Sequence, residues 1–155
     1  MCGVLVAFAK KGQLNQEYCE KASKKIFSRG PDFNFSRFEM SNRLFLSQTV
    51  LSITGKPELN LEYAKSKNNR YEILFNGEIY NFKDLGSELK ANGYIQDITS
   101  DTQVLFAGLC TFGIDYLKCL EGMFSLVYVD FNARKIHAAR DRFGIKPIYF
   151  RFGKD

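Results

Sequence analysis

Apolar residues from Val4 to Ala9 form an unbroken run bounded by Lys10-Lys11-Gly12, the pattern of a strand buried on both faces. From Asn15 to Phe27 the period changes. Tyr18, Cys19, Ala22 and Ile26 recur at helical spacing, and Ser28-Arg29-Gly30-Pro31-Asp32 ends that helix. Strands are predicted over Asn34–Met40 and Arg43–Ser47, followed by a polar stretch, Glu58 to Arg70, that reads as a mobile loop. Tyr71–Phe75 is a strand running into the turn pair Asn76-Gly77. Asn81 is placed to cap a helix carrying Phe82, Leu85 and Leu89 on one face, with Asn92-Gly93 as its end. Ser100-Asp101-Thr102-Gln103 has the form of a capping box ahead of an apolar helix, Val104 to Phe112, that stops at Gly113. A short helix over Ile114–Leu120 is expected next. A hairpin of Met123–Asp130 and Lys135–Ala139 turns through Asn132, and Ile148–Phe152 is a last strand. Hairpin strands with helices inserted in pairs indicate an α+β fold, not a doubly wound sheet.

The 155 residues suffice for one domain with a substantial core, and 45% hydrophobic with 25% charged residues is ordinary for a globular protein. The net charge of +5 would permit an anionic partner. The basic residues are scattered, however, and Lys21, Lys24 and Lys25 suit the wet face of the first helix, so no nucleic-acid role is indicated. Cys2, Cys19, Cys110 and Cys119 form no CxxC pair, which argues against zinc, and no metal site is expected. Cys19 and Cys110 fall in apolar helical patterns and read as buried small hydrophobes. The apolar start lacks a basic leader and is too short for a signal or membrane span, and position 2 is not the glycine that myristoylation needs. The expectation is a cytoplasmic protein without membrane partners. The end of the chain, close behind an apolar strand, suggests an N-terminal fragment of a longer protein or one incomplete at its C-terminus.

Cys2 carries the first chemical signal. Removal of Met1, which a small second residue favours, would put a thiol and an α-amine on one residue. That pair is a self-contained nucleophile and base. The amine titrates at roughly 7.7–8.0 and can take a proton near neutral pH. The thiol, at about 8.5, needs little help to become a thiolate. Taken alone, a second-position cysteine is more often a small residue that starts a strand.

Six blocks then occur in order: Met1-Cys2-Gly3-Val4, Arg29-Gly30-Pro31-Asp32, Asn76-Gly77-Glu78-Ile79-Tyr80-Asn81, Ser100-Asp101-Thr102-Gln103, Gly122-Met123-Phe124, and Ala139-Arg140-Asp141-Arg142-Phe143-Gly144-Ile145-Lys146-Pro147. Together they resemble the glutaminase domain of glutamine-dependent asparagine synthetases, a class II glutamine amidotransferase domain of the N-terminal nucleophile hydrolase kind. The resemblance runs over nearly the whole chain. It implies a sandwich of two antiparallel sheets between helical layers, over residues 1–155. It also implies hydrolysis of L-glutamine to glutamate and ammonia through a thioester on Cys2. In that scheme Asn76 and the Gly77 backbone N–H form the oxyanion hole, and a glycine at 77 lets the backbone approach the reacting carbon. Glu78 and Asp101 hold the substrate ammonium. Leu51 and Ile53 belong to the substrate-binding block.

The resemblance implies no cofactor in this domain. Ammonia would pass to a synthetase module, in cis or in trans, that uses ATP and magnesium. No Ser-Gly-Gly-x-Asp loop for ATP occurs here. A homodimer is an open alternative to a monomer. The acceptor of the ammonia is not specified.

Bland readings stay beside these. Asn76-Gly77 could be a hairpin turn, Asp101 a first-turn acid serving the helix dipole, and Glu78 a solvated acid. Arg140 and Arg142 read as architectural charges, and His137, the one histidine, as a packed or edge residue. Departures from the family bear on function. Family members carry an arginine that grips the glutamine carboxylate where this chain has Val50 in Val50-Leu51-Ser52-Ile53. Arg29 and Arg43 are the candidate stand-ins. Ser28 replaces a histidine, and Thr54 to Pro57 is shortened. A degenerate glutaminase-like domain with a regulatory or interaction role is therefore the alternative to an enzyme.

Overall fold

The computed structural model describes residues 2–51 and 64–153, in two compact units whose boundaries fall at Glu58 and Tyr149. The N-terminal unit is built on an antiparallel sheet of three strands. These are β1 (Gly3–Phe8), β2 (Phe33–Glu39) and β3 (Leu44–Val50), in the order β1-β3-β2. Every residue of β3 is buried, from Leu44 to Val50. β1 is an edge strand and mostly half-buried, which corrects the expectation from its apolar run. Burial on both faces follows from the central place in the sheet, and pairing across some forty residues decides that place.

α1 (Gln16–Lys25) begins where the Asn15 side chain accepts a hydrogen bond from the Tyr18 N–H at 3.0 Å. Glu17 lies in its first turn and Lys24 and Lys25 in its last, matching the helix dipole at both ends. Cys19 is its buried residue. A 3₁₀ turn, Phe27–Arg29, carries the chain to Gly30.

In the second unit β4 (Tyr71–Ile79), β5 (Gly122–Asp130) and β6 (Lys135–Arg140) form an antiparallel sheet in the order β4-β5-β6. α2 (Phe82–Ala91) and α3 (Asp101–Phe112) pack on it. The core joins Ile73, Phe75 and Ile79 of β4 to Leu105 and Leu109 of α3 and Leu126 of β5. Ser100 caps α3 by accepting the Gln103 N–H at 3.1 Å. The return half of the capping box differs from expectation, because Gln103 accepts from the Thr99 N–H instead, at 2.8 Å. The predicted short helix is a 3₁₀ segment, Gly113–Cys119. Two antiparallel sheets with attached helices give the expected α+β class.

Three further expectations are corrected. Asn76-Gly77 is no turn; both residues lie inside β4, opposite Ser125 and Phe124. Residues 64–70 are folded against β4: the Ile73 N–H donates to Ala64 at 2.8 Å and the Ser66 N–H to Tyr71 at 2.9 Å. The rest of that predicted loop lies outside the described residues. Ile148–Phe152 forms no strand, having no ladder partner among the described residues, and Tyr149 and Phe152 are almost fully exposed.

Candidate active site

In the N-terminal unit one end of the sheet gathers the first two motifs. The antiparallel register that pairs Gly3 with Thr49 brings Cys2, one residue earlier, level with Val50. Thr49 anchors this corner. Its hydroxyl accepts the Gly3 N–H at 3.2 Å and donates to the Ile26 carbonyl at 3.0 Å, tying β1 and β3 to the end of α1. A Cβ on Gly3 would lie 2.7 Å from that hydroxyl, so the glycine behind Cys2 is what allows the strand to seat. Gly30 lies equally tight on β3, where a Cβ would stand 2.5 Å from the Val50 N. The Asp32 N–H donates to the Val50 carbonyl at 3.2 Å. Cys2, Arg29–Asp32 and Val50-Leu51 thus belong to one corner.

Val50 is 5% exposed and sits at that corner, whereas Leu51 is exposed. Ile53 lies outside the described residues. Arg43 is at the far end of β3. Its guanidinium donates to the Ala9 carbonyl at 3.2 Å and to the Lys10 carbonyl. Seven residues of extended strand separate it from Val50, a span of roughly 23 Å. Arg43 is thereby removed as a stand-in for the missing arginine. Arg29 is exposed and directly precedes Gly30 at the Cys2 corner.

In the second unit the other motifs meet at the end of β4. Among the described strands β4 lies at the edge of its sheet, so one row of its backbone groups faces β5 and the other faces away. The even-numbered residues face β5, as the Tyr80 N–H to Glu121 bond at 2.7 Å shows. The odd-numbered ones point off the edge. The Ile73 N–H meets the Ala64 carbonyl there, and the Ile79 N–H meets Asp101 Oδ2 at 3.1 Å. Gly77, two residues before Ile79, directs its N–H off this same edge. Asn76 alternates to the opposite face from Ile73, Phe75 and Ile79 and is 6% exposed.

Glycine at 77 has a structural reason of its own. A Cβ there would run into the Met123 carbonyl oxygen and stand 2.6 Å from Phe124 Cα. The constraint is the close passage of β5, before any substrate is considered. Gly77→Ala should therefore push the two strands apart and shift the edge N–H. A melting curve should show a loss of about 1–3 kcal/mol.

Asp101 opens α3, as its bland reading required, but it also reaches across to β4. Oδ2 accepts from Ile79; Oδ1 accepts the Thr102 N–H at 2.7 Å and the Thr102 hydroxyl at 3.3 Å. A carboxylate has about four acceptor positions, so roughly one remains for a ligand. Burial pushes its pKa up, against the pull of these hydrogen bonds, and the negative charge of Glu78 adds to the rise. Glu78 is exposed. The two carboxylates near each other form a negative corner that an ammonium group would relieve.

The architectural reading of Arg142 holds: it donates to the Leu120 carbonyl at 2.8 Å and the Lys118 carbonyl at 2.7 Å. His137 is half-buried on the edge strand β6, near Tyr128. Sequence reasoning missed the work of Thr49, Asn81 and Asp141. The tight glycines beside them, Gly3 and Gly122, were the available signal.

The whole chain, residues 1–155, matches a family model described as glutamine amidotransferase domain. The chain belongs to that family, an enzymatic one. Within it the chain is 33% identical over 157 residues to glutamine-hydrolysing asparagine synthetase 1 of Bacillus subtilis, covering 97% of this chain and 24% of the relative. It is 29% identical over 162 residues to the glutamine-hydrolysing asparagine synthetase of Zea mays, covering 100% of this chain and 26% of that protein. The chain thus spans about a quarter of the length of these relatives. Among solved structures, a B. subtilis glutamine phosphoribosylpyrophosphate amidotransferase complexed with ADP and GMP matches with a TM-score of 0.48 and 19% identity, over 66% of this chain and 24% of that one. No helix among the described residues is long and apolar enough to cross a membrane, and no cluster of metal-ligating side chains occurs among them.

Proposed function

We propose that this domain hydrolyses L-glutamine to glutamate and ammonia and supplies the ammonia to an asparagine-synthetase-like amidation module. The observation that carries the reading is the side of β4 away from β5, toward which the Gly77 N–H points next to the Asp101–Glu78 corner.

In this scheme the Cys2 sulfur attacks the side-chain carbonyl carbon of glutamine. The carbonyl oxygen becomes an oxyanion that accepts from Gly77 and from the Asn76 side chain. The Cys2 α-amine takes the thiol proton and delivers it to the departing nitrogen, so the C–N bond breaks and ammonia leaves. Water then adds to the thioester, the C–S bond breaks, and glutamate leaves with the thiol restored. The substrate ammonium rests between Glu78 and Asp101. ATP and magnesium belong to the amidation module, in cis or in trans, and this domain works in the cytoplasm. The test is a glutaminase assay on Met1-trimmed protein with Cys2→Ala as control. Equal glutamate release from both would overturn the reading.

Val50 bears on affinity. We assign the carboxylate grip to Arg29, the exposed cation at the Cys2 corner. A single flexible guanidinium from a 3₁₀ turn holds a carboxylate less well than a strand-fixed one. Lost charge-assisted hydrogen bonds are worth about 1.5–3 kcal/mol, or roughly 10- to 100-fold in affinity. Val50→Arg should lower KM for glutamine by at most such a factor, since Arg29 keeps part of the grip, and change kcat less, because the carboxylate is bound alike in ground and transition states. Arg29→Ala should raise KM. Steady-state kinetics across glutamine concentrations check both, and an unmoved KM in Arg29→Ala would reject the assignment.

A further inference from the structure

We infer that Asn81 is a positioning residue for the Gly77 N–H, acting through the register of β4 on β5; this rests on the glutaminase reading above. Asn81 precedes α2, where a side-chain cap is expected. Its carboxamide makes no cap bond to the helix. It turns instead to a segment some forty residues away. Nδ2 donates to the Cys119 carbonyl at 2.9 Å, and Oδ1 accepts the Glu121 N–H at 3.0 Å. With the Tyr80 N–H to Glu121 bond at 2.7 Å, these extend the β4–β5 ladder beyond its last paired residues, Ile79 and Gly122. The side chain thus serves as one more rung.

The rung closes a stretch where the strands have no slack. A Cβ on Gly122 would strike the Glu78 carbonyl oxygen, and one on Gly77 would strike the Met123 carbonyl oxygen. Each strand presents a glycine at this crossing, Gly77 opposite Phe124 and Gly122 opposite Ile79, so the backbones pass close together. Two devices fix this spacing. Asp101 holds the outer side of β4 through the Ile79 N–H, and Asn81 holds the inner side through Cys119 and Glu121. The Gly77 N–H lies two residues upstream of the clamped point. An oxyanion donor must be held to a fraction of an ångström, and misplacement by about 1 Å costs on the order of 100-fold in rate.

The experiment compares Met1-trimmed wild type, Asn81→Ala and Asn81→Asp. Asn81→Ala should lose about 10- to 100-fold in kcat for glutamine hydrolysis, with KM near the wild-type value. Asn81→Asp keeps the acceptor for Glu121 and loses the donor to Cys119, so it should fall between the two. Alkylation of Cys2 by iodoacetamide, followed by peptide mass spectrometry, displaces iodide without forming an oxyanion. Its rate should stay unchanged. A kcat that stays at the wild-type value would overturn the inference, as would parallel losses of kcat, alkylation and folded protein by circular dichroism. Amide resonances read the register without turnover: Asn81→Ala should shift the Gly77 amide and speed exchange at Tyr80. If these stay put, the inference fails even where the wild type proves inactive, an outcome that would separately reject the glutaminase reading.

Discussion

Asp141→Ala should cost this protein about 3 kcal/mol or more of stability. The Asp141 carboxylate is 4% exposed and collects four backbone N–H groups. Oδ1 accepts from Phe143 at 3.1 Å and Ile145 at 2.9 Å, and Oδ2 from Phe124 at 3.2 Å and Lys146 at 3.0 Å. Its own N–H donates to the Phe124 carbonyl at 2.8 Å. One side chain therefore folds residues 142–146 into a loop and fastens that loop to β5. Removing it leaves buried donors without an acceptor, a loss of about 3 kcal/mol or more, or roughly 6–12 °C in Tm. Burial opposes the charge, but the four N–H groups outweigh it and hold the pKa below the ordinary aspartate value. The sign follows: the unfolded carboxyl binds protons at higher pH than the folded one. The stabilisation is complete above the unfolded value of about 3.9 and is lost as pH falls through the lowered folded value. Melting curves from pH 7 to pH 3 check this. The gap between wild type and Asp141→Ala should narrow toward the acid end, and a constant gap would mean that the carboxylate charge is not what holds the loop.

None of that network could be read from Arg140-Asp141-Arg142-Phe143-Gly144 as a string. Three of its acceptor bonds run a few residues forward, but the one that matters for docking, to Phe124, crosses 17 positions. What was legible was local. Ser100 announces its helix because a cap needs only its own next turn, and it makes the expected bond. The hairpin of β5 and β6 was legible for the same reason. The misreadings came where pairing overruled composition. Asn76-Gly77 has the chemistry of a turn, yet β5 continues alongside it, and Gly122 on the facing strand makes the close passage work. The apolar run of β1 looked central, but sheet order put β3 there.

The site divides in the same way. Cys2, Asn76, Gly77, Glu78 and Asp101 are candidates only through six ordered blocks and their family resemblance, because periodicity assigns no chemistry. The Gly77 edge and the double role of Asp101 required the register. Thr49 and Asn81 were invisible because a buried threonine and a helix-capping asparagine are each ordinary for their patterns. Only their partners, Ile26 for the one and Cys119 with Glu121 for the other, show what they hold.

The largest functional effect is expected at Cys2. Cys2→Ala should reduce glutamine hydrolysis by at least about 10³-fold, because removing a covalent nucleophile takes away the whole thioester route. The pairing of Gly3 with Thr49 fixes the strand one residue behind Cys2, the nucleophile of the proposed mechanism. Cys2→Ala leaves Gly3 and its seat untouched, so its melting curve should match the wild type and separate chemistry from folding. A second variant tests the base. Inserting a lysine between Met1 and Cys2 should block trimming and bury the α-amine in a peptide bond while the thiol remains. A positioned general base contributes about 10²–10⁴-fold, so this protein should keep its thiol, confirmed by iodoacetamide labelling, and lose turnover by that factor. Two measurements decide the point: glutamate release per minute and the intact mass that reports whether Met1 is present. Full activity in the lysine-inserted protein would mean that the proton travels by another group and that the terminal amine is not the base.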